Sequence, residues 1–209
     1  KGGGEVAWFA EHQFSNYCVG PSPLLMAAHW AAVTTRIKLA TGIVVLPLYM
    51  PARLIAEIGM VDALSQGRLV LGVGSGYQPF EFERFGVDLA TASAQTIEIL
   101  DMIEAGLSQP IFEYDGKYFQ QPPTHISARG PQGVPEIWIA GDAPALQRIA
   151  AERGYTPIFT GRMDGPEHLI KQRERCAAAF AAAGKDPAAL PFGTRRLPCC
   201  PDSQADDLG

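Results

Sequence analysis

The chain has 209 residues, a formal net charge of −5, 47% hydrophobic residues and 19% charged ones. That is enough apolar material for a sizeable core in one large domain or two small ones, and it excludes global disorder. The acidic balance without a basic block argues against nucleic-acid binding, and no apolar run approaches the roughly 18 residues of a membrane span.

The first residues, Lys1-Gly2-Gly3-Gly4, lack a signal-peptide core. Cys18, Cys176, Cys199 and Cys200 form no C-x-x-C pair, and the histidines have no zinc spacing. The expectation is unpaired thiols in a reducing cytoplasm and no metal.

In chain order, Val6 to Ala10 is the first apolar run and ends in Glu11-His12-Gln13-Phe14. Ser22-Pro23 then reads as an N-cap and first turn, opening a helix over 24–35. Ile37 to Leu46 is a second strand, with Thr41-Gly42 inside it; a mid-strand glycine marks close backbone approach or an irregular peptide. A helix over 52–65 follows, with Gly67 as its cap.

Leu69 to Val73 is an unbroken apolar run, as suits a strand covered on both faces of a parallel sheet. It stops at Gly74-Ser75-Gly76, and Pro79 marks a helix start, with a short helical turn over 81–85. Trp8, Leu39 and Leu69 recur about 30 residues apart, the length of one strand–helix unit.

A helix over 92–107 precedes a hairpin near 111–121 whose turn is Asp115-Gly116. Residues 120–135, rich in Pro, Gly and Gln, read as a loop. Strands over 136–140, 156–160 and 192–197 then alternate with helices that start at Pro144 and Pro166, the first of them capped by Gly154. The tail from Pro198 is polar and expected to fray. Alternating strands and helices make this an α/β chain with a mostly parallel sheet. Pattern alone leaves an open doubly wound sheet and a closed eight-stranded barrel both standing.

Several motifs together resemble the bacterial luciferase-like, flavin-dependent monooxygenase family. They are Ala10-Glu11-His12-Gln13-Phe14, Thr41-Gly42-Ile43 through Pro47, Pro51-Ala52-Arg53, Asp62 through Gly76, and Glu81 through Asp88. The match is dense over 6–107 and weaker but in phase over 136–183. The resemblance implies a TIM-type (β/α)8 barrel forming one domain over 1–209. That barrel is incomplete here, its first strand and C-terminal units absent, and the inserted hairpin covers the substrate side.

It also implies reduced FMN as cofactor, supplied by a separate NAD(P)H flavin reductase, with oxygen and a small organic substrate as the other reactants. A homodimer in the cytoplasm is the implied assembly. Alternatives are a deazaflavin-dependent oxidoreductase of the same family and a non-catalytic flavin-binding protein.

The site implied lies at the C-terminal strand ends. His12 corresponds to the family's active-site histidine, and an imidazole can move a proton near neutral pH. Glu11 either orients that ring or faces solvent. Gln13 stands where luciferases carry a second histidine. Thr41, Gly42 and Ile43 would back the flavin, Gly42-Ile43 aligning with a cis peptide. Gly74, Ser75 and Gly76 would meet the phosphate or ribityl chain; their spacing fails the dinucleotide fingerprint, since Tyr77 stands where its last glycine belongs. Ser75 occupies the place of an arginine in luciferase. Gly141 and Asp142, before Pro144, would offer helix amides to a phosphate. Tyr77, Phe80 and Phe9 are candidates for an apolar lining or for core.

Overall fold

The alternation of apolar runs and helical stripes folds into a single curled parallel sheet with helices outside it. A computed structural model describes residues 5–16, 20–160, 165–191 and 193–195. In chain order the strands are β1 (Val6–Phe9), β2 (Lys38–Thr41), β3 (Val44–Val45), β4 (Leu69–Gly74), β5 (Phe112–Asp115), β6 (Gln120–Thr124), β7 (Glu136–Ala140), β8 (Thr156–Thr160) and β9 (Gly193–Arg195). The α-helices are α1 (Pro23–Val33), α2 (Pro51–Ser65), α3 (Pro79–Phe85), α4 (Ala92–Ser108), α5 (Pro144–Arg153) and α6 (Gly165–Ala182).

The sheet runs β1-β2-β4-β7-β8-β9, every pair parallel, and β3 resumes the line of β2 to pair with β4. It forms part of a TIM-type barrel. Cys18, Cys199, Cys200, the loop at 161–164 and the tail lie outside the described residues.

Strand alternation sorts the side chains into two layers. Leu39, Leu69, Leu71, Val73, Ile137 and Ile139 join the core that includes Leu54, Ile55 and Ile58 of α2 and Ile99, Leu100 and Ile103 of α4. The other face is the barrel interior. Lys38 reaches Glu136 there at 2.7 Å, and Trp8 meets Trp138 with ring centroids 5.2 Å apart. Between those two indoles the sheet presents Gly72, which pairs with Trp138, and Gly42, where a Cβ would lie 3.0 Å from the Trp8 ring.

Ser22 caps α1 as its position suggests, accepting from Leu25 N. At the end of α2 the left-handed turn begins one residue before the expected glycine, with Gln66 at φ 57° and Gly67 at φ 78°. Arg68 then ties three segments together. Its guanidinium donates to the Ala31, Thr34, Ile37 and Ser65 carbonyls and to the Thr34 hydroxyl. This arginine therefore serves the opposite end of the sheet from the strand tips, closing the C-termini of α1 and α2.

The hairpin differs from its expected register. Its second strand is Gln120–Thr124, inside the segment read as loop. Glu98 of α4 is the reason. Its carboxylate accepts the N–H groups of Lys117, Tyr118 and Phe119 and so takes those residues out of any strand ladder. Tyr114 donates to Asp101 of the same helix. The hairpin thus packs along α4.

Candidate active site

Every parallel strand of a β/α sheet ends in a loop whose backbone groups have lost their ladder partners, so polar side chains gather at those ends. Four neighbouring ends matter here: those of β1, β2, β4 and β7.

Past β1, His12 is nearly buried and its Nδ1 stands 3.1 Å from Oε1 of Glu81, in the first turn of α3. The same oxygen accepts the Gln13 N–H at 2.7 Å. An oxygen already serving as acceptor takes the Nδ1 proton as well, which leaves Nε2 as the lone-pair nitrogen of the neutral ring. Tyr77 meets the imidazole edge-on, with centroids 5.9 Å apart. Glu81 is 2% exposed, so this carboxylate is spent inside the protein on the histidine turn.

Glu11 does not face solvent, one of the two places expected of it. It is buried, and its carboxylate accepts from Val45 N at 3.0 Å and from Gln13 Nε2 at 3.3 Å. Alternation at the end of β1 turns it sideways, toward the amide that the interrupted neighbouring strand leaves open. Burial pushes its carboxyl up to about 7, against the opposing pull of bonds from Val45, Tyr49 and Gln13. Burial, together with Glu11, likewise raises the Tyr49 phenol.

Beyond β2, the Gly42–Ile43 peptide is cis, and Gly42 N donates to Phe9 O at 2.7 Å. Thr41 is fully buried and its hydroxyl donates to Gly72 O at 2.7 Å, so that side chain fastens two strands. Space around the glycines of the next loop is filled by the chain itself. A Cβ on Gly74 would lie 2.3 Å from Ile43 Cδ1, and one on Gly76, at φ 75°, would lie 2.6 Å from Val45 Cγ1. Their bareness lets β3 and α3 close in; the partly exposed Ser75 between them presents the loop's polar side chain.

Beyond β7, Gly141 has φ 144° and leads to Asp142. Asp142 does not cap α5. Its carboxylate accepts from Gln172 and lies 3.7 Å from His168 Nε2, both on α6. Phe9 packs against the core, whereas Tyr77 is exposed and Phe80 partly so. Cys176 is a buried core residue, and burial pushes its thiol up to about 11.

A family model described as luciferase-like monooxygenase matches residues 1–207. The chain belongs to that family. Among its relatives is an uncharacterized protein, y4vJ, of Sinorhizobium fredii, 49% identical over 89% of this chain and 53% of the relative. The oxygenase component of the flavin-dependent trigonelline monooxygenase of Acinetobacter baylyi is 34% identical over 77% of this chain and 46% of that protein. The chain thus spans about half the length of the curated relatives it matches.

Among solved structures, the oxygenating constituent of 3,6-diketocamphane monooxygenase from Pseudomonas putida, in complex with FMN, shares the fold. Its TM-score is 0.81 at 24% identity, covering 97% of this chain and 60% of that one. F420-dependent enzymes share the fold too.

Within this luciferase-like frame, the structure gathers Glu11, His12, Gly42, Ile43, Gly74, Ser75, Gly76, Gly141 and Asp142 at adjoining strand ends, with Thr41 buried beneath them. Glu81 was missed as the partner of His12, being 69 residues away. Its signal was present: an acidic residue in the first turn after the glycine loop. The Trp8–Trp138 pair was missed because only the register brings the two indoles to one face.

The polar groups present fit a reduced flavin. The Thr41 carbonyl fills the Cβ position of Gly72 and the Trp8 ring lies against Gly42, so both glycines serve close packing behind the interior, while Ser75 and the Ala145 N–H at the start of α5 offer hydrogen-bond donors.

Proposed function

We propose that this protein is the oxygenase half of a two-component flavin-dependent monooxygenase, using reduced FMN and oxygen to oxidise a small organic substrate. The observation that carries this reading is His12 held by Glu81 through Nδ1 at the strand ends. Support for FMN comes from the FMN complex that shares the fold, and support for a separate NAD(P)H-driven reductase from the relative named as an oxygenase component.

When bound, reduced FMN supplies the electrons with which oxygen is activated. The chain's own part is positional. The cis Gly42–Ile43 segment and Trp8 would back the ring, and Ser75 with the Ala145 N–H would take the phosphate end, where Gln172 engages the Asp142 carboxylate. His12 would move a proton through Nε2 while Glu81 fixes the ring's other nitrogen. Tyr77 flanks the imidazole and limits water there.

The reading places the protein in the cytoplasm, where NAD(P)H is regenerated, and as a homodimer. The α1 helix has no charged residue and exposes Leu25, Met26, Trp30 and Val33, beside Met60 and Leu64 on α2. An apolar face of that kind suits a second copy. Sedimentation of the wild type and of Val33→Glu checks it: a dimer converted to a monomer is expected.

The functional test titrates the intact protein with reduced FMN and with reduced deazaflavin, then follows oxygen uptake with the flavin spectrum. Tight binding of reduced FMN and turnover lost in His12→Ala are expected. Binding of neither cofactor contradicts the proposal, and preference for deazaflavin moves it to hydride transfer.

A further inference from the structure

We infer that Gln13 is a positioning residue: its amide clamps the Glu11–His12–Gln13 turn so that the imidazole meets Glu81. This rests on the reading of His12 as the proton-handling group. Gln13 touches three segments at once. Its backbone N–H donates to Glu81 Oε1 at 2.7 Å, on α3. Its side-chain nitrogen donates to Pro21 O at 2.7 Å, at the entry to α1, and to Glu11 Oε1 at 3.3 Å, at the end of β1. Both side-chain partners are acceptors, which fixes the amide with its nitrogen toward them.

One nitrogen with two hydrogens can serve both acceptors together. A histidine at this position has a single N–H on each ring nitrogen, and the two point apart. It would hold Pro21 or Glu11, not both from one atom. It would also add a titrating group beside Glu11, whereas the glutamine amide stays neutral at every working pH. Immediately afterwards Phe14 turns left-handed at φ 58°, an uncommon conformation for a non-glycine residue, so the chain leaves the turn sharply. The clamp fixes the turn on its near side, and Pro21 ties the far end of the loop to the same amide.

The consequence is a fixed tautomer. With the turn held, His12 Nδ1 and Gln13 N converge on one Glu81 oxygen. With it released, the imidazole can rotate and the Nδ1–H bond has no support from its neighbour.

Nitrogen-15 spectra of the intact, flavin-free protein test this. In the wild type, His12 is expected to carry its neutral-state proton on Nδ1. The Gln13 side-chain amide protons are expected to exchange about tenfold or more slower than those of a free side-chain amide. Gln13→Leu and Gln13→Glu remove the donors at similar size; both should shift His12 toward the Nε2–H tautomer while circular dichroism stays unchanged. Either variant retaining the full Nδ1–H signal overturns the inference. So does free exchange of the Gln13 amide in the wild type, an arm that needs no variant. Because flavin is absent, this result stands apart from the proposed activity, which wild-type turnover in His12→Ala would remove by itself.

Discussion

Two clusters of carboxylates organise this molecule, and they do so in different ways. At the strand ends, Glu11 and Glu81 are buried and accept from backbone amides, a glutamine and the histidine. Along α4, Glu98, Asp101 and Glu104 accept from the hairpin loop, Tyr114, Arg153 and Tyr155 in a partly exposed layer. The second cluster assembles structure, fastening the hairpin and α5 to α4. The first holds one reactive ring in one orientation, and it does so at the cost of burying acids. Solvent access is the difference: water can replace a lost partner on α4, and it cannot do so beside Glu81.

The largest expected effect separates the two clusters by function. His12→Ala should lower turnover by about 10²–10⁴-fold, the range for losing a general acid–base group, with little change in thermal midpoint. Steady-state oxygen uptake alongside calorimetry reads both. Glu98→Ala should do the reverse, leaving turnover unchanged.

The next effect concerns pH. Burial holds the Glu11 carboxyl near 7, above its ordinary 4.5, so the folded protein binds that proton more tightly than the unfolded chain. The stability this contributes is full below about 4.5 and is lost as pH rises through about 7. It is on the order of 3 kcal/mol at most. Urea unfolding across that window should show the decline in the wild type, and Glu11→Gln should flatten it.

On α4, Glu98→Ala should cost about 2 kcal/mol, because three hairpin amides lose one acceptor. Denaturant midpoints measure this. Smaller still, Tyr155→Phe should cost about 1 kcal/mol by removing the hydroxyl that donates to Glu104 beside Arg153.

Much of the framework was legible in the sequence, for local reasons. Ser22-Pro23 marked the start of α1, Pro144 and Gly154 the two ends of α5, and an unbroken apolar run marked β4. The His12 turn and the cis Gly42–Ile43 peptide followed from motif resemblance.

What escaped depends on contacts between distant residues. Glu81 was read as part of a helical turn, and only the packing of α3 against the end of β1 gives it a histidine. The hairpin register was set by Glu98 on another element, so the Asp115-Gly116 turn signal was overridden. Asp142 was placed beside the first turn of α5 from Pro144, and its partner Gln172 comes from α6, 30 residues on. Contacts from Ile43, Val45 and Phe82, which require glycine at 74 and 76, were likewise invisible before the elements packed.

Glu81 is expected to act on turnover through His12. A double-mutant cycle on turnover, with His12→Ala, Glu81→Gln and the two combined, tests it most directly. The double variant should be no slower than His12→Ala alone, because the carboxylate has nothing left to orient. Losses that multiply would show two independent contributions and contradict the account.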